Sequence, residues 1–359
     1  MVISVPQSYL CGMFDNTDRT ELAAMGEFGL INHLAQHFSP SNPNTVMGIG
    51  DDCAVIDKGD HFALVTTEIL QEGINFDLSF HPLKHLGYKA ISMVISDIYA
   101  MNGLAEQILV GIGLSNRFSL EAVEELYAGM QLACEHFGVD LVGGDTTTSR
   151  GGLLISLTAV GRVDKQKICY RKGAKESDLL VVTGDLGGAY MGLQILEREK
   201  KVFLELPTMQ PDIEQYDYIV GRQLRADARK DIIDQFNIIG IIPTSMIDVS
   251  DGVASELFHL AKASGVGFHV YEEKLPLDTQ TVDTALAFDL NPSIVALNGG
   301  EDFELLFTLS QKDYESIKNM PDFTVIGHVT AQPGKNLLIS KSGNQFDIKA
   351  QGWPDSQKD

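Results

Sequence analysis

Five times along this chain, acidic residues interrupt apolar sequence, four of them in glycine-containing bends. The sites are Gly50-Asp51-Asp52, Asp97 within Val94-Ile95-Ser96-Asp97-Ile98, Gly143-Gly144-Asp145, Asp248-Val249-Ser250-Asp251-Gly252, and Gly299-Gly300-Glu301-Asp302-Phe303-Glu304. Taken singly, each reads as a helix cap or a surface turn, where Asp is common. Taken together they constrain the fold, because like charges in apolar surroundings are costly unless a cation neutralises them. The economical solution is a fold that gathers these distant segments around one carboxylate-rich metal centre. Oxygen donors alone suit a hard ion such as Mg²⁺, and the glycines let backbone approach a metal or a phosphate closely.

The surrounding sequence alternates between strand and helix patterns. A lead-in covers residues 1–20. Helical periodicity starts near Thr20, runs through Phe38, and is broken by the Ser/Pro/Asn stretch 39–44. Residues 47–56 and 62–67 alternate like strands, with the Gly50-Asp51-Asp52 bend inside the first. Residues 83–101 repeat apolar side chains at helical spacing (Leu86, Ala90, Met93, Val94, Ile98). Residues 107–114, 140–142 and 153–163 read as strands, and Ser119 caps a helix over 121–137. A polar link at 171–177 marks a change of composition. Beyond it come strand 179–183, a glycine-rich turn, helix 189–198, a helix around 216–236, strand 244–248, a helix from Gly252 to a Gly265 C-cap, and strands at 267–271 and 324–329. The fold class is therefore α/β (α+β) in two domains, 21–168 and 169–359. That division also suits a 359-residue chain, too long for one ordinary core.

The formal net charge of −22 excludes a nucleic-acid or anionic-membrane partner, since both need a basic face. No apolar run reaches the roughly 20 residues of a membrane span. The first ten residues have no basic region of the secretory type, so the expected location is the cytoplasm. The four cysteines are scattered with no C-x-x-C pair, which excludes a thiol metal cluster or a disulfide framework. There is no P-loop, no G-x-S-x-G and no H-E-x-x-H. The glycine-rich turn at Gly184–Gly188 is not G-x-G-x-x-G and reads as a packing turn.

Read in order, the motifs resemble the thiamine-monophosphate kinases, a branch of the superfamily that includes aminoimidazole ribonucleotide synthetase and selenophosphate synthetase. The resemblance runs from GEFGLI at 26–31 through GIGDDCAVI at 48–56, HPLKHLGYKAISMVISDIYAMNG at 81–103, GGDTT at 143–147, RKGAK at 171–175, VTGDLGGAYMGL at 182–193, IDVSDG at 247–252 and GGEDFELLFT at 299–308, ending at Gly352-Trp353. It implies a two-domain fold whose N-terminal sheet pairs with its twin in a homodimer, and it implies ATP with several Mg²⁺ ions. By motif, Asp52, Asp97, Asp145, Asp248 and Asp251 are the implied metal ligands. Thr66, Thr67 and Glu68 join them through hydroxyl, carbonyl or carboxylate oxygens. Gly144, Asp145, Arg171 and Ser250 are the implied ATP contacts. Asn75, Glu301 and Trp353 face thiamine monophosphate, with Trp353 stacking on a ring and Glu301 accepting a hydrogen bond.

The chain departs from the family pattern in four places. Thr67-Glu68 replaces Thr-Asp, Asn75 replaces His, residues 225–229 replace Arg-Pro-x-Pro-Arg, and Pro354-Asp355 follows the terminal Gly-aromatic pair. Three functions are therefore weighed: the kinase, a sister ATP-using synthetase, and a catalytically silent nucleotide- or thiamine-binding protein. A selenophosphate synthetase needs a reactive Cys followed by Lys, whereas Cys11 is followed by Gly12. A silent site has no use for so many retained carboxylates. The kinase is the expectation, and no general base is expected with it.

Overall fold

The structure, a computed structural model, describes residue 22 and residues 25–350, without the side chains of Glu27 and Phe28. The described residues up to Ser39 belong to one unit, and Pro40–Ala350 form another. The first contributes helix α1, Gly26–Ala35. It is shorter than the periodicity predicts, and the stretch at Thr20 lies outside the described residues.

The larger unit opens with a six-stranded sheet of β1 (Thr45–Met47), β2 (Ala54–Asp57), β3 (Phe62–Gln71), β4 (Leu104–Leu114), β5 (Asp140–Thr148) and β6 (Leu154–Val163), in the order β1-β2-β3-β6-β4-β5. Only β4 and β5 run parallel, so the sheet is mixed. Helix α2 (Leu83–Ala100) packs on β3, β4 and β6, and α3 (Leu120–Phe137) packs on α2. The two helices approach closely because each carries a glycine at the contact. A Cβ on Gly87 would lie 2.0 Å from the Leu126 carbonyl oxygen, and one on Gly129 would lie 1.9 Å from that of Lys84. Ser119 caps α3 by accepting from Ala122 N, as its sequence position predicts.

A seven-stranded sheet follows. Its strands are β7 (Leu179–Thr183), β8 (Ser245–Asp248), β9 (Gly267–Tyr271), β10 (Leu305–Leu309), β11 (Phe323–Thr330), β12 (Asn336–Ile339) and β13 (Gln345–Asp347), in the order β13-β12-β9-β11-β7-β10-β8. The helices of this half are α4 (Gly188–Glu205), α5 (Asp217–Leu224), α6 (Lys230–Ile239), α7 (Val253–Ser264), α8 (Thr279–Ala287), α9 (Pro292–Asn298) and α10 (Tyr314–Ile317). Gly265 ends α7 in the left-handed conformation, as expected of a glycine C-cap. Helix α2 also packs on β8, and one continuous core runs from Leu64, Ile91 and Ile95 to Met246, Leu305 and Phe307. The two α/β sheets thus meet along α2. Among the described residues, no helix is long and apolar enough to cross a membrane.

Three local readings need correction. The apparent strand 47–56 is interrupted, because Gly50 at φ +129° turns the chain between β1 and β2. The helix around 216–236 is two helices, α5 and α6. Residues 225–229 leave helical geometry while Ala226 and Ala228 are buried and Arg229 is drawn to Glu304, so tertiary contacts override a helix-compatible sequence. Gly143-Gly144-Asp145 is not a tight turn but part of β5, whose residues are all exposed.

Candidate active site

The junction along α2 is where the acids converge. Carboxylate oxygens of Asp52, Asp97 and Asp248 all lie within 4.8 Å of one another. Each arrives on a different element. Asp52 follows the Gly50 bend, Asp97 faces inward from α2, and Asp248 ends β8. Strand alternation places Thr66 and Glu68 on the same face of β3 and turns Thr67 to the other. Accordingly Thr66 Oγ1 donates to Asp97 Oδ2 at 2.5 Å, whereas the Thr67 hydroxyl bonds Leu157 O and Thr158 on β6. Ser96, one residue before Asp97, donates to Asp248 Oδ2 at 2.7 Å.

The electrostatics are those of a centre short of positive charge. Burial pushes the Asp52, Asp97 and Asp248 carboxyls upward, Asp248 to about 7. The neighbouring carboxylates add to the shift at Asp97 and Asp248, Glu68 among them. Asp51, beside Asp52, also rises to about 7, from burial and from its neighbour's charge. The cation present is Arg171, whose Nε and Nη2 reach Asp52 Oδ1 at 3.0 and 2.5 Å. Asp52 Oδ2 is buried and has no hydrogen-bond partner. A buried carboxylate oxygen without a donor, beside two further carboxylates, is what a hard divalent cation would satisfy, so the residues fit Mg²⁺.

Other predicted residues are distributed around this centre. Asp251, at the start of α7, gives its N–H to Glu256 Oε1 at 3.1 Å. Its carboxyl is raised by burial and lies within the influence of Arg171 and Glu301. Asp145 stands exposed on β5 and is not part of the three-carboxylate group. Gly144 is glycine for a packing reason, since a Cβ there would fall 1.8 Å from Val110 O on β4. Ser250 O accepts from Glu301 N at 2.6 Å. Glu301 sits at φ +56°, in the left-handed region that few non-glycine residues adopt, and its Oε2 accepts from Lys89 Nζ at 3.0 Å. Asn75 is half-buried, with its Oδ1 taking the Gln71 N–H at 2.9 Å. Trp353 lies outside the described residues.

Sequence reasoning missed several members. Lys89 and Ser96 are polar residues on an otherwise apolar stretch of α2, and that contrast was the available signal. Asp302 and Glu304 serve their own loop. Asp302 Oδ2 accepts from Gly187 N at 2.7 Å, while Glu304 accepts from Arg222 at 3.0 Å, Arg229 at 2.5 Å and Thr183 at 2.6 Å. No spacing in the sequence links those partners.

Known proteins share both the sequence and the fold of this chain. Residues 50–163 match the family described as AIR synthase related protein, N-terminal domain. Across its length the chain is 33% identical to the thiamine-monophosphate kinase of Aquifex aeolicus, covering 92% of this chain and 98% of that one. It is 30% identical to that of Bacillus subtilis, covering 92% and 99%. A solved structure described as AaThiL complexed with AMPPCP and TMP superposes with a TM-score of 0.78 at 31% identity, covering 94% of this chain and 99% of that one. The chain belongs to the thiamine-monophosphate kinase family.

Proposed function

We propose that this protein is a thiamine-phosphate kinase that transfers the γ-phosphoryl group of ATP to the phosphate of thiamine monophosphate, giving thiamine diphosphate and ADP. The observation that carries this reading is the convergence of Asp52, Asp97 and Asp248 in a chain of this family. Those three would hold Mg²⁺, with Thr66 and Glu68 beside them on β3 and Asp251 next to Arg171. Asp145 and a Thr67 oxygen complete the set by family resemblance. Bound Mg²⁺ would neutralise the repulsion between two polyanions. Gly144, Asp145, Arg171 and Ser250 are the ATP contacts in this reading, and Asn75, Glu301 and Trp353 the acceptor contacts.

The acceptor oxygen is already ionised at neutral pH, so no side chain need remove a proton. The buried carboxylates hold charge in place and Arg171 fixes Asp52, which leaves positioning as the protein's main contribution to direct in-line transfer. We further propose a homodimer. The support is β5, an edge strand exposed along its whole length, with Leu109, Leu141 and Val142 exposed nearby. A cytoplasmic location follows from the need for ATP. We further propose two domains, 21–168 and 169–359, after the lead-in of residues 1–20.

The test is ADP release coupled to chromatographic identification of thiamine diphosphate, in wild type and Asp52→Asn. The amide keeps an oxygen for Arg171 and loses the charge. Turnover should fall at least about a hundredfold while the fold is retained. Wild-type ADP release that is independent of thiamine monophosphate would sink the assignment.

A further inference from the structure

Lys89 is the most buried long cation among the described residues, its side chain 1% exposed. Its ammonium makes two contacts, the Glu301 carboxylate at 3.0 Å and the carbonyl of Gln223 in the last turn of α5 at 2.9 Å. Lys89 and Asp97 are eight residues apart on α2, about 12 Å of helix rise. One rigid element therefore carries a metal-side carboxylate at one point and the anchor of an acceptor-side carboxylate at another. The element has little freedom to shift, since Gly87 and Gly129 lock α2 against α3 at backbone contact.

The loop that bears Glu301 is pinned independently. Arg222 Nη2 donates to the Asp302 carbonyl at 3.2 Å, and the Asp302 carboxylate takes the Gly187 N–H. Gly300, Glu301 and Phe303 all hold positive φ within this short span. A loop under that much conformational constraint keeps its geometry only if its surroundings specify it. Among the described residues, Lys89 is the hydrogen-bond partner of the Glu301 carboxylate itself, at Oε2.

We propose that Lys89 is a positioning residue that sets acceptor specificity. It fixes Glu301 as a far stop at a defined distance from the metal centre, so that a phosphate ester is selected by carrying a hydrogen-bond-donating ring at its other end. This rests on the kinase reading and on Glu301 facing the acceptor. The exocyclic amine of a pyrimidine is the donor class that a fixed carboxylate would accept. A phosphate ester of the thiazole half alone presents the same reacting group without that donor.

The experiment compares kcat/KM for thiamine monophosphate and for hydroxyethylthiazole phosphate, in wild type and Lys89→Met, with KM for ATP measured alongside. Wild type should prefer the complete acceptor strongly. Lys89→Met should raise KM for thiamine monophosphate about tenfold or more and shrink the preference by a similar factor, with KM for ATP within about twofold. Lys89→Gln, which keeps a polar donor on a shorter, uncharged side chain, is scored by the same ratio should the methionine variant not fold. An unchanged preference, or an ATP KM that rises in step with the acceptor KM, overturns the proposal. Absence of activity on either acceptor in wild type overturns instead the kinase reading on which it rests.

Discussion

His81 offers a test of how the two sheets are held together. It is 2% exposed, and its Nε2 lies 3.2 Å from the Leu224 carbonyl. Its Nδ1 is buried without a partner. The ring therefore donates from Nε2 and stays neutral, because protonation would bury a second N–H with no acceptor and add charge near Lys89. Burial first, and the Lys89 charge second, lower its pKa to about 3 from an ordinary 6.5. A histidine depressed in the folded state contributes stability that is complete above the unfolded pKa and is lost as pH falls from 6.5 toward 3. By about pH 5 the unfolded chain has gained this proton and the folded chain has not, a loss of about 2 kcal/mol. His81→Gln keeps a donor for Leu224 O and removes the titration. Its stability deficit relative to wild type, measured by urea unfolding, should narrow by about 2 kcal/mol between about pH 8 and pH 5. NMR of histidine-labelled protein, with the resonance assigned through the variant, should show no titration of this ring above about pH 5. A midpoint near 6.5, or parallel stability curves, would refute the reasoning.

Two further outcomes follow from packing and charge. Gly129→Ala places a methyl 1.9 Å from the Lys84 carbonyl, forces α2 and α3 apart, and should cost about 1–3 kcal/mol by chemical denaturation; an unshifted midpoint would show that the helices yield freely. Arg229→Met removes one of the two cations on the buried Glu304 carboxylate and should destabilise by about 3 kcal/mol, whereas a loss below about half a kcal/mol would mean that Arg222 and Thr183 suffice.

Much of the secondary structure was legible because it rests on local periodicity. The spacing of Leu86, Ala90, Val94 and Ile98 specifies a helix wherever it is placed, and α2 runs Leu83–Ala100 against the predicted 83–101. Strands β7 and β9 coincide with their apolar runs, Leu179–Thr183 and Gly267–Tyr271. The later helices α8 and α9, strand β12 and the edge strand β13 escaped that reading. Their patterns are short, and packing against the sheet and its neighbouring helices decides their state.

The acids divide along the same line. Sequence alone determined that Asp52, Asp97 and Asp248 needed neutralising, since a carboxylate among apolar residues is costly in any fold. Strand alternation is a local rule that separates the side chains of Thr66 and Thr67, although the family resemblance implied both as ligands. Only tertiary structure decided which acids share a centre. Asp145 lies on an exposed edge strand, while Asp302 and Glu304 are consumed by Gly187, Thr183, Arg222 and Arg229 in holding their own loop. The pairing of Lys89 with Glu301, 212 residues away in the chain, was likewise beyond any local rule. The physical reason is that desolvation marks a charge as needing a partner through its immediate neighbours, whereas the identity of that partner is set by chain topology.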